Sequence, residues 1–157
     1  MKFEGIYTPV VTPYNDDFSI NETVLEAVIE YLIASGVNGL IFAGTTGEYY
    51  AQSTEERLHL LGRFKAIING RVPLIVGTGA IRTEDSVMYA EAAAKAGADA
   101  LLVATPPYAV PTDRENALHA LAIDRAANLP IMLYNYPGRM GVNMGEEYLD
   151  RVGRSPN

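Results

Sequence analysis

Five times along the chain a short apolar run gives way to a longer stretch in which apolar residues recur every three to four positions. The runs at 5–11, 39–43, 74–77, 100–104 and 131–135 are almost continuously apolar, which predicts parallel strands covered on both faces. In the stretch after the first run, Val24, Leu25, Val28, Ile29, Leu32 and Ile33 form one stripe, with Asn21 placed to cap the start and Ser35-Gly36 to end it. A second helix opens with the capping-box sequence Ser53-Thr54-Glu55-Glu56 and runs to about 69. A third is expected from about 84 to Lys95-Ala96-Gly97, where a lysine and then a glycine suit a helix end. A fourth spans roughly 113–127, and a fifth begins near 145.

Strand followed by helix, repeated five times, gives an α/β domain with a parallel sheet and right-handed crossovers. We treat 1–157 as one domain. Two architectures fit the pattern. A compact doubly wound sheet would place its ligand where the strand order reverses. The first five units of a (β/α)8 barrel, the TIM barrel, would place it on the rim at the strand C-termini. Length favours the first. We expect the barrel, because functional residue types follow strands two, four and five alike, as on a rim.

The chain has 157 residues, 48% of them hydrophobic, with a mean hydropathy of +0.04, enough for a real core and too polar for a membrane protein. No apolar run reaches bilayer length, and Met1-Lys2-Phe3-Glu4-Gly5 lacks the apolar stretch of a signal peptide, so a cytoplasmic location is expected. The absence of cysteine excludes disulfides, thiolate metal sites and cysteine nucleophiles. A net charge of -7, with basic residues scattered singly, argues against nucleic acid as a partner.

Three segments carry candidate chemistry. Gly44-Thr45-Thr46-Gly47-Glu48 joins the second strand to the second helix. Its backbone N–H groups and two hydroxyls can converge on a small anion, and Gly44 and Gly47 let the backbone approach it. A plain polar turn is the alternative, and the Lys-Ser/Thr ending of a phosphate loop is missing. Thr105-Pro106-Pro107-Tyr108 follows the fourth strand as a stiff turn presenting Tyr108, which could equally be a packing residue. Tyr134-Asn135-Tyr136-Pro137-Gly138-Arg139 starts inside the fifth strand and leaves through a Pro-Gly turn. Strand alternation puts Tyr134 and Tyr136 on one face, a phenol there can transfer protons, and Arg139 can grip a carboxylate. The alternative is a strand-end tyrosine and a solvated arginine. His59 and His119 fall inside helices and read as structural, and no metal-ligand spacing is present.

Taken together and in order, these segments, with Gly5-Ile6-Tyr7-Thr8-Pro9-Val10-Val11-Thr12-Pro13-Tyr14 at the start, closely resemble the dihydrodipicolinate synthase and N-acetylneuraminate lyase family of pyruvate-handling aldolases. The resemblance implies a (β/α)8 barrel, a homotetramer built as a dimer of dimers, and no cofactor. It implies a Schiff base between a lysine of the sixth strand and the ketone of pyruvate, which then attacks an aldehyde. By the same resemblance Tyr134 is the proton-transfer phenol, and Thr45 links it to Tyr108, which reaches across a subunit interface. Thr46 holds the pyruvate carboxylate, and Arg139 binds the carboxylate of the second substrate, aspartate semialdehyde. Sugar-acid and N-acetylneuraminate lyases share most of the pattern. Pro107 stands where many synthases have a second tyrosine.

The three lysines do not match the Schiff-base position: Lys2 precedes the first strand, Lys65 lies within a helix and Lys95 at a helix end. A Schiff-base lysine must lose its proton in a partly desolvated pocket, against an ordinary pKa of about 10.4. By the family's spacing the resemblance places the expected lysine on a sixth strand just past Asn157, and the chain alone is expected to be inactive as an aldolase. The remaining alternative is a catalytically dead barrel piece that serves as a binding or assembly module.

Overall fold

The computed structural model describes residues 3–157, so Lys2 lies outside the described residues. Its elements are β1 (Tyr7–Pro9), α1 (Glu22–Ala34), β2 (Gly39–Phe42), α2 (Thr54–Ile68), β3 (Leu74–Gly77), α3 (Thr83–Lys95), β4 (Ala100–Ala104), α4 (Asp113–Ala127), β5 (Ile131–Tyr134), α5 (Pro137–Met140) and α6 (Glu146–Val152). Two single-turn 3₁₀ segments, Thr45–Gly47 and Tyr49–Ala51, intervene between β2 and α2.

All four strand pairings are parallel and the order in the sheet is that of the chain, β1-β2-β3-β4-β5. The order never reverses, so the sheet has no doubly wound switch point, and its ends all face one way, as in part of a barrel. Alternate residues face opposite sides. Leu40, Phe42, Leu74, Val76, Leu101 and Val103 pack under the helices in the main core. Ile41, Ile75 and Ala100 form a second buried cluster on the other face, flanked by Tyr7, Leu102 and Met132. β2 and β3 are wholly buried, whereas the outer strand β5 is half-buried throughout, and Ile6 and Val11 beside β1 are exposed.

Several boundaries differ from the sequence expectation. β1 is three residues rather than seven: Gly5 turns at φ +85 with the Asn38 side chain against its backbone, and Pro9 has no N–H for the ladder. β5 ends at Tyr134, and Pro137-Gly138 begins the short helix α5 with proline in its first turn instead of forming a simple turn. The helix starts follow local chemistry. Asn21 Oδ1 accepts from the Val24 N–H (3.0 Å), and Ser53 and Glu56 cap each other's backbone at 3.2 and 2.7 Å. Thr112 and Glu115 repeat that box on α4.

Both histidines join helices. His59 meets Glu22 at 2.7 Å, tying α2 to α1 on the surface. His119, buried on α4, meets Thr83 at 3.0 Å, and burial pushes its pKa down to about 4, so the ring is neutral at pH 7. Lys65 donates to the Gly97 carbonyl and Lys95 sits in the last turn of α3. Both lie at helix C-termini, the end of the sheet opposite the strand C-termini.

Candidate active site

β2 ends in a tight place. Ala43, buried and not a glycine, has φ 54, a left-handed conformation that costs about 1–2 kcal/mol. A Cβ on Gly77 of the neighbouring strand would lie 2.1 Å from the Ala43 carbonyl oxygen, so only glycine fits beside it. Backbone strain of this kind gathers at functional loops, and the Gly44-Thr45-Thr46-Gly47-Glu48 segment begins at the next residue.

Within that segment the two glycines have different tasks. Gly47 is buried against β1: a Cβ there would come within 2.9 Å of the Val10 carbonyl oxygen, and the Gly47 carbonyl accepts from Thr12 Oγ1 (2.8 Å) and Gln52 Nε2 (2.9 Å). Gly44 has φ -79, and a Cβ placed on it would meet nothing nearer than 3.7 Å, so packing against the rest of the chain requires a glycine at 47 and not at 44. The 3₁₀ turn that follows leaves its first N–H groups outside its own ladder.

At the C-terminal end of the sheet Gly44, Thr45, Tyr49, Ala104, Tyr134 and Met140 line one small hollow. Thr45 from the β2 loop and Tyr134, the last residue of β5, are therefore brought together, as are the backbones of Gly44 and Gly77. Tyr134 and Tyr136 also lie near one another, ring centroids 6.1 Å apart, although Tyr136 has already left the strand. Thr46 is exposed on the same 3₁₀ turn. Arg139 is exposed on α5, its guanidinium 5.9 Å from the Tyr136 ring, and lines a shallow groove beside the hollow with Thr45, Tyr49 and Pro107. Asn135 faces away, accepting from the Met144 N–H at 3.2 Å and donating to Asn143 at 2.7 Å.

Of Thr45, Tyr108 and Tyr134, the first and last line the hollow, while within this chain Tyr108 stands away from it. Tyr108 is 89% exposed, and its left-handed φ of 71 after Pro106-Pro107 turns it outward. Among the described residues no hydrogen bond links the three hydroxyls.

Two site residues escape sequence reasoning. Tyr49 forms a wall of the hollow, its ring so close to Gly79 that a Cβ there would lie 2.7 Å from the ring carbon bearing the hydroxyl. Burial pushes the Tyr49 phenol above its ordinary pKa, while the positive charges of Arg57 and Arg139 work against that. Arg57 is only 4% exposed. It donates to the carbonyls of Gly79 (2.8 Å) and Gly77 (3.0 Å) and stacks 3.6 Å from the Tyr89 ring centroid, with Tyr49 at 5.2 Å. Burial pulls its pKa below the ordinary value, and the two phenols oppose that shift. One local signal could have exposed Arg57: a cation in the first turns of a helix, next to Glu55-Glu56, runs against the helix dipole.

Among the described residues no cluster of three His, Asp or Glu could hold a metal ion, and no helix is long and apolar enough to cross a membrane.

Comparison with known proteins agrees with the fold and the motifs. A family model described as the Dihydrodipicolinate synthetase family matches residues 2–157. The 4-hydroxy-tetrahydrodipicolinate synthase of Streptococcus suis is 42% identical over 153 residues, covering 97% of this chain and 49% of that protein. The enzyme of the same name from Limosilactobacillus reuteri is 38% identical over 153 residues, covering 97% and 50%. The crystal structure of the chloride-inhibited dihydrodipicolinate synthase from Acinetobacter baumannii, complexed with pyruvate, superposes with a TM-score of 0.95 at 36% identity, covering 99% of this chain and 54% of that one. The chain thus spans about half the length of the relatives it matches, and its five-stranded sheet corresponds to part of their barrel. By its motifs, its sheet and the family match over residues 2–157, the chain belongs to the dihydrodipicolinate synthetase family.

Proposed function

We propose that this chain carries the first five units, and one half of the active site, of a pyruvate-dependent class I aldolase of the 4-hydroxy-tetrahydrodipicolinate synthase type. The observation that carries the reading is the shared hollow: Thr45 and Tyr134 come from different strand ends and line the same small space on the rim. In the proposed reaction a lysine amine adds to the ketone carbon of pyruvate and water leaves, giving an imine. Loss of a methyl proton gives the enamine, whose carbon bonds to the aldehyde carbon of aspartate semialdehyde. Tyr134 serves as the phenol that passes the proton near the imine, with Thr45 as its neighbour. Thr46 and the adjoining backbone N–H groups take the pyruvate carboxylate, and Arg139, on the open side of the rim, takes the carboxylate of the aldehyde.

Lys65 and Lys95 lie at the far end of the sheet from this hollow. We therefore assign the Schiff base to a lysine on a strand that would pair with β5, and expect the 157-residue chain by itself to be inactive. Borohydride reduction in the presence of pyruvate tests both statements. The expected result is no covalent adduct on the isolated chain and a lysine-linked adduct once the chain is extended to the length of its relatives. An adduct on Lys65 or Lys95 would refute the assignment. Assaying the extended protein for condensation with aspartate semialdehyde against cleavage of 2-keto-3-deoxy acids or N-acetylneuraminate separates the synthase reading from the sugar-acid one. The exposed Tyr108 and Val110 support assembly as a homo-oligomer through the β4–α4 loop, and the composition supports a cytoplasmic location.

A further inference from the structure

Arg57 is a buried cation that pairs with no carboxylate among the described residues; Asp85, which lines the same side cleft, pairs with Arg82 instead. Its Nε has no hydrogen-bond partner, and it sits near the start of α2, where the dipole disfavours positive charge. A neutral side chain of similar volume would fill the space without the desolvation penalty. What a neutral side chain would not do is hold two carbonyls at once. The planar fork of Arg57 binds Gly77 and Gly79, which fixes the β3–α3 loop against α2, and its face rests on Tyr89 of α3. Tyr89 is fixed in turn by its hydroxyl contact with Thr54 (3.0 Å).

Tyr49 closes this arrangement. Its ring lies against Gly79, whose carbonyl Arg57 holds, and it lines both the hollow, with Thr45 and Tyr134, and the side cleft, with Arg57, Tyr89 and Ile81. We propose that Arg57 is a positioning residue that holds Tyr49 as a fixed partition between the hollow and the side cleft. Its bearing on specificity rests on the aldolase reading: with the partition in place the hollow admits a small keto acid and is closed towards the cleft. The placement of Tyr49 itself requires no substrate.

The test is therefore made on the 157-residue chain without substrate, by measuring tetranitromethane nitration of individual tyrosines by peptide mapping in the unaltered chain, R57M and R57K. Tyr31, exposed on α1 away from both loops, is the reference for reagent access, and Tyr148, fully buried, reports unfolding. Nitration needs the phenolate, so loss of the Arg57 charge alone would slow the reaction at Tyr49. Release of the ring into solvent speeds it. The expected result is a rise in Tyr49 nitration of about tenfold relative to Tyr31 in R57M, the equivalent of one lost hydrogen bond. R57K is expected to show a comparable rise, because one ammonium carries the charge but not the fork. An unchanged or slower Tyr49 in R57M, or full restoration by R57K, overturns the proposal. Should Tyr148 nitration show that R57M unfolds, R57K decides the matter alone. Failure of pyruvate trapping in the extended protein would remove the aldolase reading and leave the result at Tyr49 standing.

Discussion

Two loops on the same rim are built in opposite ways. The β2–α2 connection is bound from several sides: Gly47 is pressed on Val10, its carbonyl takes bonds from Thr12 and Gln52, and Arg57 braces it from below through Tyr49. The β4–α4 connection is fixed only at its base. Thr105, buried, accepts from Asn116 Nδ2 at 2.8 Å, and Thr112 and Glu115 cap α4. Between them Tyr108 and Val110 stand exposed, both in left-handed conformations. Both loops carry matched family motifs. Only the first is completed by contacts within this chain, so a motif identifies a residue while packing determines whether that residue is already in place.

The largest effect is expected where the first loop leaves its strand. Gly77→Ala drives a methyl into the Ala43 carbonyl, with backbone on both sides unable to yield. We expect a loss of about 3 kcal/mol, a fall in Tm of roughly 6–12 °C by thermal denaturation. A Tm indistinguishable from that of the unaltered chain would show that this loop is less constrained than its contacts imply.

The helix that follows the second loop carries a pH dependence where it packs on α3. His119 on α4 has a folded-state pKa of about 4 against an ordinary 6.5, so below pH 6.5 the unfolded chain takes up a proton that the folded chain does not. The associated stability is complete above pH 6.5 and is lost as pH falls towards 4, with a slope of at most about 1.4 kcal/mol per pH unit. Denaturant unfolding of the unaltered chain and of His119→Gln between about pH 7 and pH 5 should diverge in that window. Parallel curves would mean that the ring is protonated in place or solvated.

Smaller changes separate the loops more finely. Gln52→Ala removes the bonds to Gly47 and Thr12 and should lower stability by about 1 kcal/mol, read as a shift in denaturant midpoint. Tyr108→Ala should change it by less than about 0.5 kcal/mol, since the side chain has little to lose in this chain. A larger loss would show that the second loop, too, is completed internally.

The legible parts of the molecule are those encoded locally. The strands lie within a few residues of the apolar runs, and Asn21 and Ser53 cap as their spacing indicates, because periodicity and caps depend on neighbours in sequence. Gly44 to Glu48 and Tyr134 are legible as motifs at strand ends. Tyr49 is not, since a tyrosine in a loop becomes a wall only through Gly79, which belongs to the next strand's loop. The outward turn of Tyr108 is equally hidden: two prolines announce a turn, but nothing local specifies a left-handed tyrosine after it.

The sequential strand order has a consequence for biosynthesis. Tyr7 pairs with Gly39, Leu40 with Leu74, Ile75 with Ala100 and Leu101 with Ile131, so each new strand closes about thirty residues of chain onto the strand made just before it. A nascent polypeptide leaving the ribosome thus presents every strand with its template already emerged, and the sheet can lengthen in the direction of translation without waiting for any distant segment.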